Sequence, residues 1–390
     1  MGRLLFPVTL ISFLFILHQA EGKMRSLFLS KLSRTASRVP SAWRSRSSHY
    51  SKNIGSTSSN LHSFSTSTTS TDYNVTTRDL DILKNELNHC GGEIIDPHLH
   101  IASWFNNGEE LAAGLAENDV SIGLIYNPYP KDFPMPYDIN EKVYEIASTS
   151  NGKIFCLASL DTTHENWEEH REFELNRLMS YIKKEGCVLG AKLAPPNTCL
   201  PLTSPIIGDV LECLNEHDGN NKVIAIHIGT TLMCGPMGKQ FGVKCLCSDE
   251  YIDPRHLEKH VKAYPDITFA FLHSGHEFLS PEEDCYYDFK YADECIAMAQ
   301  EYPNVYLSLS AIFAQDPDGT LKYPGGFELV KKMKQEGIAH KVFWASDQSF
   351  VKKSIRPALI MGIKAMIDAE FTQEERTWSL NGCTRKVFRF

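Results

Sequence analysis

Two imidazoles one residue apart carry the first chemistry in this chain: Ile94-Ile95-Asp96-Pro97-His98-Leu99-His100 places His98 and His100 just after an apolar pair. Side chains two apart in a strand point to the same face, so both rings converge at one point near the strand's end. That is half of a metal site, although a histidine at a strand end is also an ordinary core or surface residue. Three later apolar runs close on residues of the same kind. Val223 to Gly229 contains His227, Ile267 to His276 contains His273 and His276, and Lys341 to Asp347 ends on a carboxylate. Imidazole and carboxylate are donors that a borderline divalent ion accepts.

These residues need a scaffold that brings distant strand ends together. Beyond residue 90 the chain alternates short apolar runs with helical patterns, the signature of a parallel sheet with crossover helices. Eight runs are legible: Glu93 to His100, Ser121 to Tyr126, Lys153 to Ser159, Val188 to Leu193, Lys222 to Gly229, Ile267 to His273, Asn304 to Ser310 and Lys341 to Asp347. Amphipathic stretches over 109–118, 165–184, 292–301, 327–335 and 352–369 lie between them, and Asp253-Pro254 reads as an N-cap with Pro at the first helical position. A last helix begins near Thr372. The expectation is an α/β chain folded as a (β/α)8 TIM barrel, with a doubly wound open sheet as the alternative; no GxGxxG follows the first strand to favour the latter. Barrel active sites sit at the C-terminal ends of the strands. His98, His100, His227, His273 and Asp347 all fall there, on strands one, five, six and eight.

The 390 residues carry a net charge of -9. That gives no general attraction to nucleic acid or anionic membranes, so the expected partner is a small-molecule substrate, without nucleic acid and without a stable membrane span in the mature chain. A homodimer is compatible with the sequence. Residues 1–22 read as a signal peptide, with Arg3, an apolar stretch from Leu4 to Leu17, and Ala20 and Gly22 near a cleavage point. Residues 23–78 read as a transit-like, disordered leader rich in Ser, Thr and basic residues, with no acid between Lys23 and Thr71. Together they suggest an organelle reached through the secretory route, such as a plastid. A start at Met24 would instead give a mitochondrial presequence, and secretion is a further alternative. The barrel is then expected over 79–390. Eleven cysteines favour buried free thiols such as Cys156, Cys213 and Cys295 over a disulfide framework; Cys234, Cys245 and Cys247 share a loop without matching a zinc pattern.

The motifs resemble those of the amidohydrolase superfamily, in particular the amidohydrolase-related branch that includes aminocarboxymuconate-semialdehyde decarboxylase, resorcylate decarboxylases and pyrone or sugar lactonases. The matching elements are Asp96-Pro97-His98-Leu99-His100, Gly190-Ala191-Lys192, His227-Ile228-Gly229, His273-Ser274-Gly275 and Ser346-Asp347. Ala345 stands where this branch commonly has Gly, and no Pro follows Asp347. The resemblance implies one divalent ion, zinc with manganese as the alternative, held by His98, His100, His227 and Asp347. It implies a second task for Asp347 as the base that takes the water proton, and a role for His273 in polarising the substrate carbonyl or orienting the water. Lys192 is then the contact of a substrate carboxylate, or, as in binuclear relatives, a carboxylated metal bridge. Asp96 supports the ligands from behind, and His276 and Trp104 shape the pocket.

The function these residues point to is metal-dependent hydrolysis, through a metal-activated water, of an ester, lactone or amide-like bond in a small carboxylated molecule. The alternatives are zinc-dependent nonoxidative decarboxylation of an aromatic or enoic acid, and an inactive barrel retained as a binding module.

Overall fold

The computed structural model describes residues 75–101, 107–127, 138–162, 166–184, 186–231, 248–276, 289–311, 325–348 and 355–390. The two leader segments and Trp104, Cys234, Cys245 and Cys247 lie outside these residues. Among the described residues no helix is long and apolar enough to cross a membrane.

Eight parallel strands follow one another around a single sheet in the order β1 to β8. They are β1 (Ile95–Leu99), β2 (Ile122–Ile125), β3 (Ile154–Ser159), β4 (Val188–Leu193), β5 (Val223–Gly229), β6 (Thr268–His276), β7 (Val305–Ser308) and β8 (Val342–Phe343). All eight expected runs contain a strand, and the fold is the expected (β/α)8 barrel. The helices between strands are α2 (Gly108–Ala116), α3 (Ile139–Ser148), α4 (Trp167–Ile182), α5 (Pro205–Glu216), α6 (Glu258–Ala263), α7 (Ala292–Glu301) and α8 (Gly325–Gln335); α1 (Thr77–His89) precedes β1, and α9 (Ile355–Asp368), α10 (Gln373–Thr377) and α11 (Cys383–Phe388) follow β8. A single π-helical segment, Trp378–Gly382, joins the last two.

The outer faces of the strands pack with the helices in one large apolar cluster. The inner faces supply a second, in which Leu124, Leu157, Val223, Leu272 and Phe343 fill the barrel interior. Both faces of every strand are therefore apolar, which explains why the strands read as continuous runs and not as alternating ones. Helix α11 plugs the N-terminal end. Phe388 is fully buried and meets Phe343 edge to face, with ring centroids 6.0 Å apart, and Arg389 donates to the Asp266 carbonyl at 3.0 Å.

Helix α1 begins at Thr77 with a capping box in which Asp79 N–H donates to Thr76 Oγ1 (3.2 Å) and Thr76 N–H to Asp79 Oδ2 (3.0 Å). Lys364 of α9 then donates to Asp79 Oδ1 at 2.9 Å, docking α1 on the barrel. The eighth strand is shorter than its apolar run. Only Leu307–Val342 and Ser308–Phe343 pair with β7, and residues 344–348 turn instead toward β1. Asp347 N–H donates to the His98 carbonyl (2.9 Å) and His100 N–H to the Gln348 carbonyl (3.0 Å). Ser346 N–H donates to Asp96 Oδ1 at 3.0 Å, and an isolated parallel bridge, Leu99 with Gln348, completes the seam.

Candidate metal centre

That seam creates the site. His98 ends on β1, His100 follows it, and the β1–β8 hydrogen bonds draw Asp347 up beside both. Asp347 Oδ1 lies 2.7 Å from His98 Nε2 and 3.1 Å from His100 Nε2, and the two Nε2 atoms are 3.3 Å apart. The three possible ligand atoms lie within 4.8 Å of one another, and no other group of three His, Cys, Asp or Glu among the described residues does this. The side chain of His98 is 1% exposed, that of Asp347 19% and that of His100 26%. His100 and Asp347 are thus the solvent-accessible members of the cluster, and His98 is its buried one.

Proton positions follow from the partners and are assigned on that basis. His100 Nδ1 is 2.9 Å from the Tyr126 carbonyl, which only accepts, so the proton sits on Nδ1 and Nε2 presents a lone pair to the cluster. This is the arrangement in which a ligand imidazole is oriented from behind. Asn127 adds to it: its Oδ1 lies 3.2 Å from His100 Nδ1 and accepts from Ile101 N–H at 3.0 Å. Asp96 does not join the cluster. Its Oδ1 accepts from the backbone N–H groups of His98 (3.2 Å) and Ser346 (3.0 Å), so it ties the two ligand-bearing segments together.

His227, the fourth expected ligand, makes a contact of its own. Its Nε2 donates to the Thr230 carbonyl at 2.9 Å, and it stands outside the three-ligand group. The cause is local. Gly229 has φ +109° and ends β5 in such close contact with β6 that a Cβ there would collide with the His276 backbone oxygen. Thr230 N–H then donates to that same oxygen at 3.0 Å, and the turn brings the Thr230 carbonyl back over the imidazole. The nitrogen left with a lone pair is Nδ1.

His273 is fully buried with its ring centroid 4.2 Å from that of His227 and 5.0 Å from that of His98. Its Nδ1 lies 3.3 Å from the Ser310 carbonyl, 3.2 Å from Ser310 Oγ and 3.9 Å from Asp347 Oδ2. His276 stacks behind it at 4.8 Å. Lys192 is buried, with Nζ 4.9 Å from the Tyr126 ring centroid. Among the residues the sequence does not mark are Tyr126, Asn127 and Ser310, which act through carbonyls, an amide and a hydroxyl at the ends of β2 and β7.

Electrostatics follow burial. Desolvation pulls His98 and His276 down to about 4 and holds His227 and His273 well below the usual imidazole range, so all four are neutral ligands or hydrogen-bonding groups at physiological pH. Burial works against ionising Asp347, but the neighbouring imidazoles of His98, His273 and His100 outweigh it and hold the carboxyl well below the usual range. Lys192 is brought down to about 7 by burial, with the charge of Asp347 pulling the other way. Burial raises Asp96 to about 7 despite the N–H groups it accepts. The backbone is strained in the same place: His273 (φ 69°), Ser274 (φ 53°) and Asp347 (φ 57°) are left-handed without being glycine. Such conformations cost about 1–3 kcal/mol each and are held by the surrounding structure; others lie elsewhere, at Asp119, Asn151, Cys199, Ala311, Glu370 and Arg389.

An eight-stranded barrel with a His-His-carboxylate cluster at the C-terminal ends of its strands defines the class of a metal-dependent TIM-barrel enzyme. The amidohydrolase family model (Amidohydro_2) matches residues 209–390, the part that carries β5 to β8 and Asp347. The match agrees, over that part of the chain, with the superfamily resemblance read from the motifs. No curated protein matches the chain. Similar solved structures include a probable 2-pyrone-4,6-dicarboxylic acid hydrolase from Acinetobacter baumannii with citric acid bound (15% identity, covering 76% of this chain and 100% of that one, TM-score 0.46). Another is 5-carboxyvanillate decarboxylase from Novosphingobium aromaticivorans, complexed with manganese and 4-hydroxy-3-methoxy-5-nitrobenzoic acid (12% identity, 77% and 97% covered, TM-score 0.47). A third is an amidohydrolase from Burkholderia multivorans with bound zinc (10% identity, 76% and 99% covered, TM-score 0.46).

Proposed function

We propose that the chain is a metal-dependent hydrolase that cleaves an ester, lactone or amide-like bond of a small carboxylated molecule. The observation that supports this reading is the convergence of His98, His100 and Asp347 at the barrel mouth, with the buried amine of Lys192 near the C-terminal end of β4. The donor set suits a divalent ion. Two neutral imidazole nitrogens and one carboxylate oxygen crowd together with their lone pairs turned inward, a contact that a cation relieves. Zinc fits two nitrogens and an oxygen with a coordination position to spare, and manganese accepts the same donors less selectively. His98, His100 and Asp347 are the residues that would hold the ion, which when bound polarises a carbonyl and brings the pKa of a coordinated water toward about 7.

The chain's own groups supply the rest. Asp347 Oδ2, the oxygen not shared with the two imidazoles, accepts the proton of the attacking water. His273, fixed through Nδ1 by Ser310, aligns the scissile carbonyl. Lys192 pairs with a substrate carboxylate, and the bound anion restores the charge that burial withholds from the amine. Exclusion of water below the site falls to the barrel-interior residues Leu124, Leu157 and Leu272.

The purified, zinc-loaded protein should open lactones or cleave small carboxylated esters in a pH-stat assay without releasing carbon dioxide. Carbon dioxide release from aromatic or enoic acids, with no hydrolysis, would assign the decarboxylase reading instead. A protein that binds no stoichiometric metal and turns over neither class would be the binding module.

A further inference from the structure

On the opposite side of the β3–β4 seam from the metal ligands lies a pair of thiols that the proposed reaction does not use. Cys156 is the third residue of β3 and Cys187 immediately precedes β4. Cys156 N–H donates to the Cys187 carbonyl at 2.8 Å, and the register partner of Cys156 is Val188, the next residue. Cys187 is thus one residue out of register with Cys156 on adjacent strands, which lie roughly 4.8 Å apart. Both residues belong to the apolar layer between barrel and helices, each thiol's ionisation is influenced most, apart from burial, by the other, and both are free cysteines. Their access differs. Cys156 is 1% exposed and Cys187 9%, beside the exposed Gly186. Lys184 stands next to the pair, its Nζ fixed 3.9 Å from the Tyr144 ring centroid and 4.2 Å from that of Tyr181.

We propose that Cys156 and Cys187 are a reversible disulfide site that ties β3 to β4 and is closed by a low-molecular-weight disulfide. Cys187 is the attacking thiol. The hydrogen bond from Cys156 and then the Lys184 charge favour its thiolate, against burial, whereas burial above all keeps Cys156 protonated. The Cys187 thiolate displaces one thiolate from the external disulfide and forms a mixed disulfide. Cys156 then passes its proton to the departing thiolate, attacks the Cys187 sulfur and releases the second thiol. Two protein thiols lose two electrons and two protons, and the external disulfide is reduced to two thiols. The closed ring contains all of α4 and leaves the metal ligands untouched.

The test is peptide mapping of the full chain after incubation with oxidised glutathione, alkylation and digestion without reduction. The expected result is a cross-linked pair of peptides carrying Cys156 and Cys187, lost on treatment with dithiothreitol, together with a urea midpoint that rises on oxidation and returns on reduction. In Cys156→Ser, Cys187 should instead retain one glutathione. Recovery of both cysteines alkylated from the oxidised wild-type chain would overturn the proposal, as would a bridge from Cys187 to any other cysteine. The wild-type map decides the matter even if the serine variant does not fold.

Discussion

At the C-terminal end of the strands, buried titratable groups are packed ring to ring, the backbone at His273, Ser274 and Asp347 is left-handed, and His98 Nδ1, Asp96 Oδ2 and the Tyr126 hydroxyl have no hydrogen-bond partner among the described residues. At the N-terminal end the charged groups have partners, although the buried hydroxyls of Ser379 and Thr384 have none among the described residues. Arg385 pairs with Glu93, whose carbonyl also accepts from Asn381 Nδ2 at 2.8 Å. Lys341 Nζ, although buried, donates to the carbonyls of Pro303 (2.7 Å), Tyr302 (3.1 Å) and Val305 (3.3 Å). The groups crowded at the site end are titratable, whereas the other end is held chiefly by the apolar packing of Phe343, Val387 and Phe388. Substitutions at the two ends should therefore move different observables.

The largest effect is expected at the ligands. His100→Ala should abolish stoichiometric zinc, read by elemental analysis, and lower turnover by more than about 100-fold, beyond the range for groups that merely support a metal ligand. Next is Gly229→Ala, which forces a Cβ onto the His276 backbone; a loss of about 3 kcal/mol or more in urea unfolding is expected, and a stability near wild type would show that the β5–β6 approach is not tight. Ser310→Ala should keep the metal and the fold but slow turnover about 10-fold, the worth of one orienting hydrogen bond. Unchanged kinetics would remove Ser310 from the positioning of His273.

The N-terminal end is probed by pH. Burial, with the Lys386 charge adding to it, pulls Lys341 from 10.5 to about 8. Below pH 8 the amine is charged in both states and its burial is a cost; between about 8 and 10.5 the folded chain sheds the proton while the unfolded chain keeps it, so stability rises with pH. That rise, on the order of 1–2 kcal/mol, should be absent from Lys341→Met in unfolding curves across this window. Smallest is Arg385→Ala, worth no more than about 1 kcal/mol because the Glu93 pair is one-third exposed; zinc content should not change.

The eight strands are legible in the sequence because strands covered on both faces are continuous apolar runs closed by polar residues. Helices α1, α3 and α5 are not marked there. Helix α1 directly follows a segment whose composition reads as leader, and its contacts with Lys364 and Arg376 come from nearly three hundred residues away. For the site, residue types and strand ends bring out His98, His100, His273 and Asp347. The turned ring of His227 is not legible, since it depends on a carbonyl three residues on. Tyr126 and Ser310 are hidden for the same reason: they serve the site through hydrogen bonds that leave no periodic trace.

The seam between β1 and the segment after β8 also sets when the site can exist. Ser346 meets Asp96 across 250 positions of chain, and Asp347 meets His100 across 247. Contacts of such separation close late, after the loop entropy of everything between them has been overcome. On the ribosome, a chain still lacking its eighth strand has two imidazoles on β1 and no carboxylate to meet them. Metal capture at this centre therefore reports completed synthesis and closure of the ring, and an ion that binds the folded chain alone acts as its final fastener.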